Sequence, residues 1–151
     1  MLIARKIIKT SLEEIKDTIY WFEEKIKDFN IDGRIILVFN ELLLNAYEHG
    51  NLSLGSKKKE ELLKENCYEK ELEKLQKKCN KKIYIYIYRY GNFLFTKIID
   101  EGRGFDVSSI VSKKESFSGR GILISKKIAD IFYNQKGNVV CFVMKIKKEK
   151  E

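Results

Sequence analysis

Apolar residues along this chain first recur at helical spacing, then crowd into one nearly continuous run, then alternate strictly with polar neighbours. Residues 2–9 read as a first strand. The stretch "SLEEIKDTIYWFEEKIKDF" puts Leu12, Ile15, Ile19, Phe22, Ile26 and Phe29 on one helical face, and Ser11 with Glu14 three residues on predicts a capping box at its start. "IDGRIILVFNELLLNAYEHG" predicts a second helix with Asp32 as N-cap and Gly50 as stop; it is apolar nearly all round and so should be buried. From about Lys57 to Cys79 the chain is charged and of helix-forming composition, with a thin apolar stripe of Leu62, Leu63, Leu72 and Leu75, which predicts one or two short surface helices inserted between buried elements. In "KIYIYIYRYGNFLFTKIID" the period becomes two. Ile83, Ile85 and Ile87 face one side, Tyr84, Tyr86, Tyr88 and Tyr90 the other, and Gly91-Asn92 marks a hairpin. The tyrosine row is either a stacking platform for bases or a covered second face of the sheet, and we expect the covered face. "GRGILISKKIADIF" then reads as a glycine turn entering a helix, and "NVVCFVMKIK" as a last strand with Gly137-Asn138 at its start.

With no proline, repeat or linker to divide it, the chain is expected to form one α+β domain over residues 1–151, an antiparallel sheet covered by helices with a charged helical insert at about 52–82. The 44% hydrophobic content is ordinary for a globular protein. No run approaches the ~20 apolar residues of a membrane span, and "MLIARKIIKTSLEE" lacks a signal-peptide pattern. Cys67, Cys79 and Cys141 form no C-x-x-C pair and leave an odd count, against a disulfide framework or zinc site. A reducing, cytoplasmic setting without membrane is the expectation. The net charge of +8 raises the question of nucleic acid, but its distribution answers against it. Between Lys57 and Lys82 ten lysines mix with six glutamates, the pattern of a solvated surface rather than an arginine-rich stripe interleaved with aromatics.

Three segments depart from packing chemistry. In "FNELLLNAYEHGN" Glu41 and Asn45 are four residues apart and project from one helical face, with the chain's one histidine, His49, a turn further. Buried amides and carboxylates without partners cost about 1–3 kcal/mol each. Either an internal hydrogen-bond network or a ligand must compensate them. The amide oxygen of Asn45 suits Mg²⁺, a hard ion that takes few protein groups beside phosphates, and Glu41 could accept a proton from an attacking hydroxyl. His49 is expected to be a structural residue of the helix end. In "IIDEGRGFD", Asp100 stands at a strand end, where a carboxylate can accept from an amino group such as adenine N6 and would repel the carbonyl at the matching place in guanine. Gly102 and Gly104 would let backbone approach a ligand. In "SGRGILIS", Gly119 and Gly121 stand at a helix start, where free N–H groups favour phosphate, with Arg120 able to add a charge-assisted contact. Each segment alone also reads as an ordinary turn or core network.

In this order and spacing, over roughly residues 35–132, the chain resembles the GHKL (histidine kinase-like) ATPase domain shared by gyrase, the Hsp90 chaperone, histidine kinases and mismatch-repair MutL proteins. "NELLLNAYEHG" resembles that family's N-box, "DEGRGF" its first glycine box and "GRGILI" its second. The short loop between glycine boxes and the endings "EHGN" and "YNQKGN" look most like the anti-sigma-factor branch, serine-protein kinases that hold bacterial sigma factors inactive. The resemblance implies a two-layer α/β sandwich of the Bergerat type, with a mixed, mostly antiparallel sheet covered by helices on one face. It implies ATP and Mg²⁺ as cofactors. Glu41 matches the general base and Asn45 the Mg²⁺ ligand; Asp100 matches the adenine-reading aspartate. Gly102 and Gly104 would line the nucleotide, while Gly119, Arg120 and Gly121 would lie beside the phosphates. The insert after Asn51 is longer than a compact anti-sigma kinase needs and looks like insertions in ATPase modules attached to response-regulator proteins.

The function expected is that of a Mg·ATP-dependent serine/threonine-protein kinase in signal transduction and transcription regulation, one that phosphorylates a protein antagonist and sequesters a sigma factor, with a homodimer implied by the related kinases. Two alternatives stay open: a non-catalytic ATP-sensing module that binds its partner, and the ATPase module of a two-component-type regulator. His49 lies inside the N-box helix, so no separate phosphoacceptor histidine is available for self-contained two-component signalling.

Overall fold

The computed structural model describes residues 1–104 and 124–148. In chain order its elements are β1 (Leu2–Lys9), α1 (Leu12–Ile26), α2 (Ile35–Asn45), a π-helical turn (Ala46–Asn51), α3 (Ser56–Lys64), α4 (Tyr68–Lys78), β2 (Lys82–Tyr90), β3 (Phe93–Asp100), β4 (Asp130–Tyr133) and β5 (Val139–Lys145). The strands form one five-stranded sheet in the order β1-β2-β3-β5-β4, and every neighbouring pair is antiparallel. The fold is α+β, as expected from the pattern. No helix among the described residues is long and apolar enough to cross a membrane.

Strict alternation makes the sheet two-faced. Ile83, Ile85 and Ile87 are fully buried, and Leu94, Ile98, Val140 and Phe142 share their face. Each such side chain contributes about 1.5–3 kcal/mol of burial. Onto this face pack α1 and α2. Phe22 of α1 stacks on Phe39 of α2 at 4.0 Å, and Phe142 of β5 meets Phe22 edge-on at 6.2 Å. The hairpin between β2 and β3 turns at Gly91-Asn92 with Gly91 at φ +57°, the left-handed backbone that glycine takes without steric cost.

The structure corrects several expectations. The tyrosine row is not a covered face among the described residues: Tyr84, Tyr86 and Tyr88 are half-buried and Tyr90 is 57% exposed. Tyr86, Tyr88 and Tyr90 stack on one another at 6.1–6.2 Å with Lys97 above Tyr86 and Tyr88, so these rings shelter one another. Asp32 heads the turn that leads into α2, its carboxylate accepting the Arg34 backbone N–H at 3.0 Å and pairing with the Arg34 guanidinium, while the α-helical run begins at Ile35, with Arg34 at its N-cap position. The capping box at α1 is half-formed. Ser11 Oγ accepts from Glu14 N at 3.5 Å, while the Glu14 carboxylate reaches back to the Lys9 N–H instead of that of Ser11. Gly50 does not stop the second helix, which widens into the π-turn and runs through Asn51. Finally, "ADIF" is not helical. Residues 124–128 are helical, and Asp130–Tyr133 is strand β4, because the sequence there can pair with β5 across a turn at Gly137, φ +86°.

Asn51, at the end of the π-turn, ties three elements together. Its Nδ2 donates to Thr10 Oγ1 at 2.9 Å and to the Lys82 carbonyl at 3.0 Å, and its Oδ1 accepts from Glu101 N at 2.8 Å. It is 4% exposed, so none of these bonds is readily replaced by water. Asn51→Ala should cost about 2–4 kcal/mol by orphaning those partners. Urea denaturation should show the midpoint falling with little change in slope; a loss below about 0.5 kcal/mol would remove Asn51 from this role.

Candidate functional site

Helical spacing sets the first half of the site. Glu41 and Asn45 lie on one face of α2, and the next turn is π-helical, a local widening often found where a helix carries function. Leu42, Asn45 and Ala46 of this segment line a small hollow whose opposite wall is Asp100, Tyr133, Gly137, Asn138 and Val140. The hollow measures about 10 Å³, room for one water molecule. Glu41 stands one turn back along α2 and does not line it.

Asn45 supplies the least satisfied atom. Its Nδ2 is buried and has no hydrogen-bond partner, alone in this among the described side chains. Such an atom costs about 1–3 kcal/mol unless a ligand accepts from it. An amide nitrogen donates and does not ligate a cation; a half-turn of the amide presents Oδ1 instead.

Asp100, the last residue of β3, is 7% exposed. Its Oδ1 accepts from Gly102 N at 2.9 Å, its backbone N–H donates to the Asn138 carbonyl at 3.0 Å, and its carbonyl accepts from Asn138 Nδ2 at 3.2 Å. Burial pushes its carboxyl up to about 6, against the opposing pull of the Gly102 N–H and of Lys136 and Lys81. Burial also raises Glu41, with nearby Glu48 adding to the rise and Lys59 opposing it. A raised carboxyl is a stronger base when ionised. Tyr133 is raised as well, first by burial and then by the charges of Glu41 and Asp100, which places its hydroxyl within electrostatic reach of both carboxylates.

Glycine is required here by close approach. A Cβ on Gly50 would lie 2.5 Å from Asp100 Cγ, and one on Gly102 would lie 2.2 Å from the Gly50 carbonyl oxygen. Gly104, at φ +82°, passes so near Lys136 that a Cβ would lie 1.9 Å from its carbonyl oxygen. The two glycines of "DEGRG" thus dock the loop against the π-turn and against the β4–β5 turn. Asn45, Asp100, Gly102 and Gly104 are therefore brought into one neighbourhood, with Glu41 one helical turn away. Gly119, Arg120 and Gly121 lie outside the described residues.

Sequence reasoning missed Tyr133, Asn138 and Gly50 as parts of this site. For Asn138 a turn signal was present but pointed only to a strand start. Tyr133 was hidden by the helical reading of β4, and Gly50 by its reading as a helix stop. His49, expected to be structural, has its Nδ1 against the Leu54 carbonyl, and burial lowers its imidazole. No family model matches the chain, and no curated protein matches it.

Proposed function

We propose that this chain is a Mg·ATP-binding regulatory protein with the GHKL ATPase fold, acting as a serine/threonine-protein kinase of the anti-sigma kind on a protein antagonist. The observation that carries the reading is the buried, partnerless Nδ2 of Asn45, a residue that lines the same hollow as Asp100. An amide whose nitrogen has no protein partner, and which can turn to present Oδ1, lines one small space with a desolvated aspartate, a pairing that suits a polar ligand with an amino group and a bound cation. The polar side chains of an otherwise apolar helix then have a physical reason to be there.

In this reading Asp100 accepts from the adenine amino group, and the backbone around Gly102 and Gly104 approaches the nucleotide closely. A purine is larger than the present hollow, so its binding requires the wall to open. Asn45 would hold the metal through Oδ1. Among the described residues no three His, Cys, Asp or Glu side chains gather as a ligand set, so such an ion would rest on phosphates as well as Asn45. When bound, Mg²⁺ offsets negative charge on the transferring phosphoryl group. Glu41 takes the proton of the acceptor hydroxyl as that oxygen bonds to the γ-phosphorus and the bond to ADP breaks. Glu41 also separates this reading from a non-catalytic ATP sensor, which has no evident need of a base at that place.

Calorimetric titration with Mg·ATP tests the proposal. Saturable heat is expected, together with a melting temperature raised by several degrees at about 100 Kd of nucleotide, where linkage contributes about 2.7 kcal/mol. Saturating ATP that gives neither heat nor a melting shift would overturn it.

A further inference from the structure

The helical insert does not hang free of the rest of the molecule. Glu48, in the π-turn, is a buried carboxylate, 5% exposed. One side chain from each insert helix converges on it: Lys59 of α3 pairs with Oε2 at 2.7 Å, and the Tyr68 hydroxyl of α4 donates to Oε1. Lys59 also lies 5.4 Å from the centre of the Tyr68 ring, so the three side chains close a triangle. Burial and the Glu48 carboxylate hold the Tyr68 hydroxyl well above its ordinary range, which keeps it a donor. A second anchor lies along α4. Gln76 Oε1 accepts both the Leu12 backbone N–H at 2.8 Å and the Tyr47 hydroxyl, joining the insert to the start of α1 and again to the π-turn.

The turn held this way carries one wall of the candidate site. Gly50 is two residues beyond Glu48 in the same π-turn, and its backbone touches the Asp100 carboxylate so closely that no Cβ fits between them. The Gly50 carbonyl in turn limits the approach of Gly102. Whatever fixes Glu48 therefore fixes the surface against which Asp100 is set. A buried carboxylate that lost its cation would seek water, and the turn would have to open to let it.

We infer that Lys59 and Tyr68 are positioning residues: by clamping Glu48 they hold the π-turn against Asp100, and the insert thereby sets the affinity of the site for its nucleotide. The inference rests on the Mg·ATP reading for the identity of the ligand, and on the contacts of Glu48 with Lys59 and Tyr68 for the clamp. It gives the insert a task other than display of charged surface, and it makes any partner that lifts α3 or α4 a regulator of the site.

Two measurements on the full chain separate the clamp from the ligand. Amide hydrogen exchange without nucleotide reads the turn itself: in Lys59→Met, exchange at residues 46–52 should accelerate at least about tenfold, with the β2–β3 core unchanged. Mg·ATP titration well below the melting temperature reads the coupling: affinity should fall about tenfold in Lys59→Met, less in Tyr68→Phe, and return to within about twofold in Lys59→Arg. If Lys59→Met fails to fold, the neutral pair Glu48→Gln with Lys59→Met keeps the test, since it removes the clamp without leaving a buried charge. Unaltered exchange in the turn, or faster exchange with wild-type affinity, overturns the inference. Wild-type protein that ignores ATP while the variants still loosen the turn sinks the nucleotide reading and leaves the clamp in place.

Discussion

Glu41→Gln should reduce phosphoryl transfer about 10²–10⁴-fold, the usual worth of a positioned general base, while Mg·ATP affinity stays within about threefold of wild type. The two side chains have nearly the same shape, so the substitution removes proton acceptance and little else. Burial raises the Glu41 carboxyl and the Lys59 charge restrains that rise, so its carboxylate is more basic than that of an exposed glutamate. Because Glu41 does not line the hollow with Asp100, removing its charge should leave nucleotide recognition alone. The measurement is transfer of label from γ-labelled ATP to the protein that co-purifies with the chain, beside a titration of the same variant. Transfer within twofold of wild type would remove Glu41 from the chemistry. Retention of the partner by a wild-type protein that transfers nothing would favour the ATP-sensing module instead.

The elements most legible in the sequence are those whose side chains obey one period. Ile83, Ile85 and Ile87 alternate with tyrosines, and β2 and β3 follow with their turn at Gly91-Asn92. Ser11 and the i, i+3, i+4 spacing after it locate α1. Errors arise where tertiary pairing decides the outcome. Reading "ADIF" as helix extends the preceding helix past its end, whereas Ile131, Phe132 and Tyr133 are strand formers and the hydrogen bonds offered by β5 draw Asp130–Tyr133 into the sheet. The π-turn is equally hidden, because the register change that creates it is enforced by contacts far away in sequence. Glu48 meets Lys59 and Tyr68, and Asn51 meets Thr10, Lys82 and Glu101. In the candidate site, the i, i+4 pair Glu41–Asn45 and the strand-end aspartate were readable because each follows from one local rule. Tyr133 and Asn138 were not, since their part depends on how the β4–β5 hairpin closes against α2. The outward face of the sheet was misjudged for a related reason: alternation says that two faces differ, and not which of them the helices cover.

Asp100→Asn separates recognition from stability more sharply than any other change, because the two should move in opposite directions. In the folded protein the carboxyl titrates near 6, against an ordinary aspartate value of 3.8. A raised value means that the fold binds this proton more tightly than the unfolded chain does. The contribution of Asp100 to stability is therefore most favourable at low pH, declines as pH rises from about 4 to about 6, and is unfavourable and level above that. Asparagine carries no charge and can still accept the Gly102 N–H, so the variant should be at least as stable as wild type at pH 7 and should lack that decline. A buried carboxylate that weakens its own fold calls for another reason to be there, and adenine supplies one. Its amino group needs an acceptor, and the variant amide can turn its own NH₂ toward it, donor against donor. Such a mismatch at a formerly charged acceptor costs about 2–3 kcal/mol, or roughly 30–150-fold in affinity. In wild type, ATP affinity should likewise fall as pH is lowered through about 6, when the carboxyl gains its proton. GTP should bind more weakly than ATP, since its carbonyl would face the carboxylate. Titrations at pH 5 and pH 7, paired with urea denaturation at both, check the whole pattern. An Asp100→Asn protein that is less stable than wild type and binds ATP equally well would mean that Asp100 holds the β3 terminus together and reads no ligand.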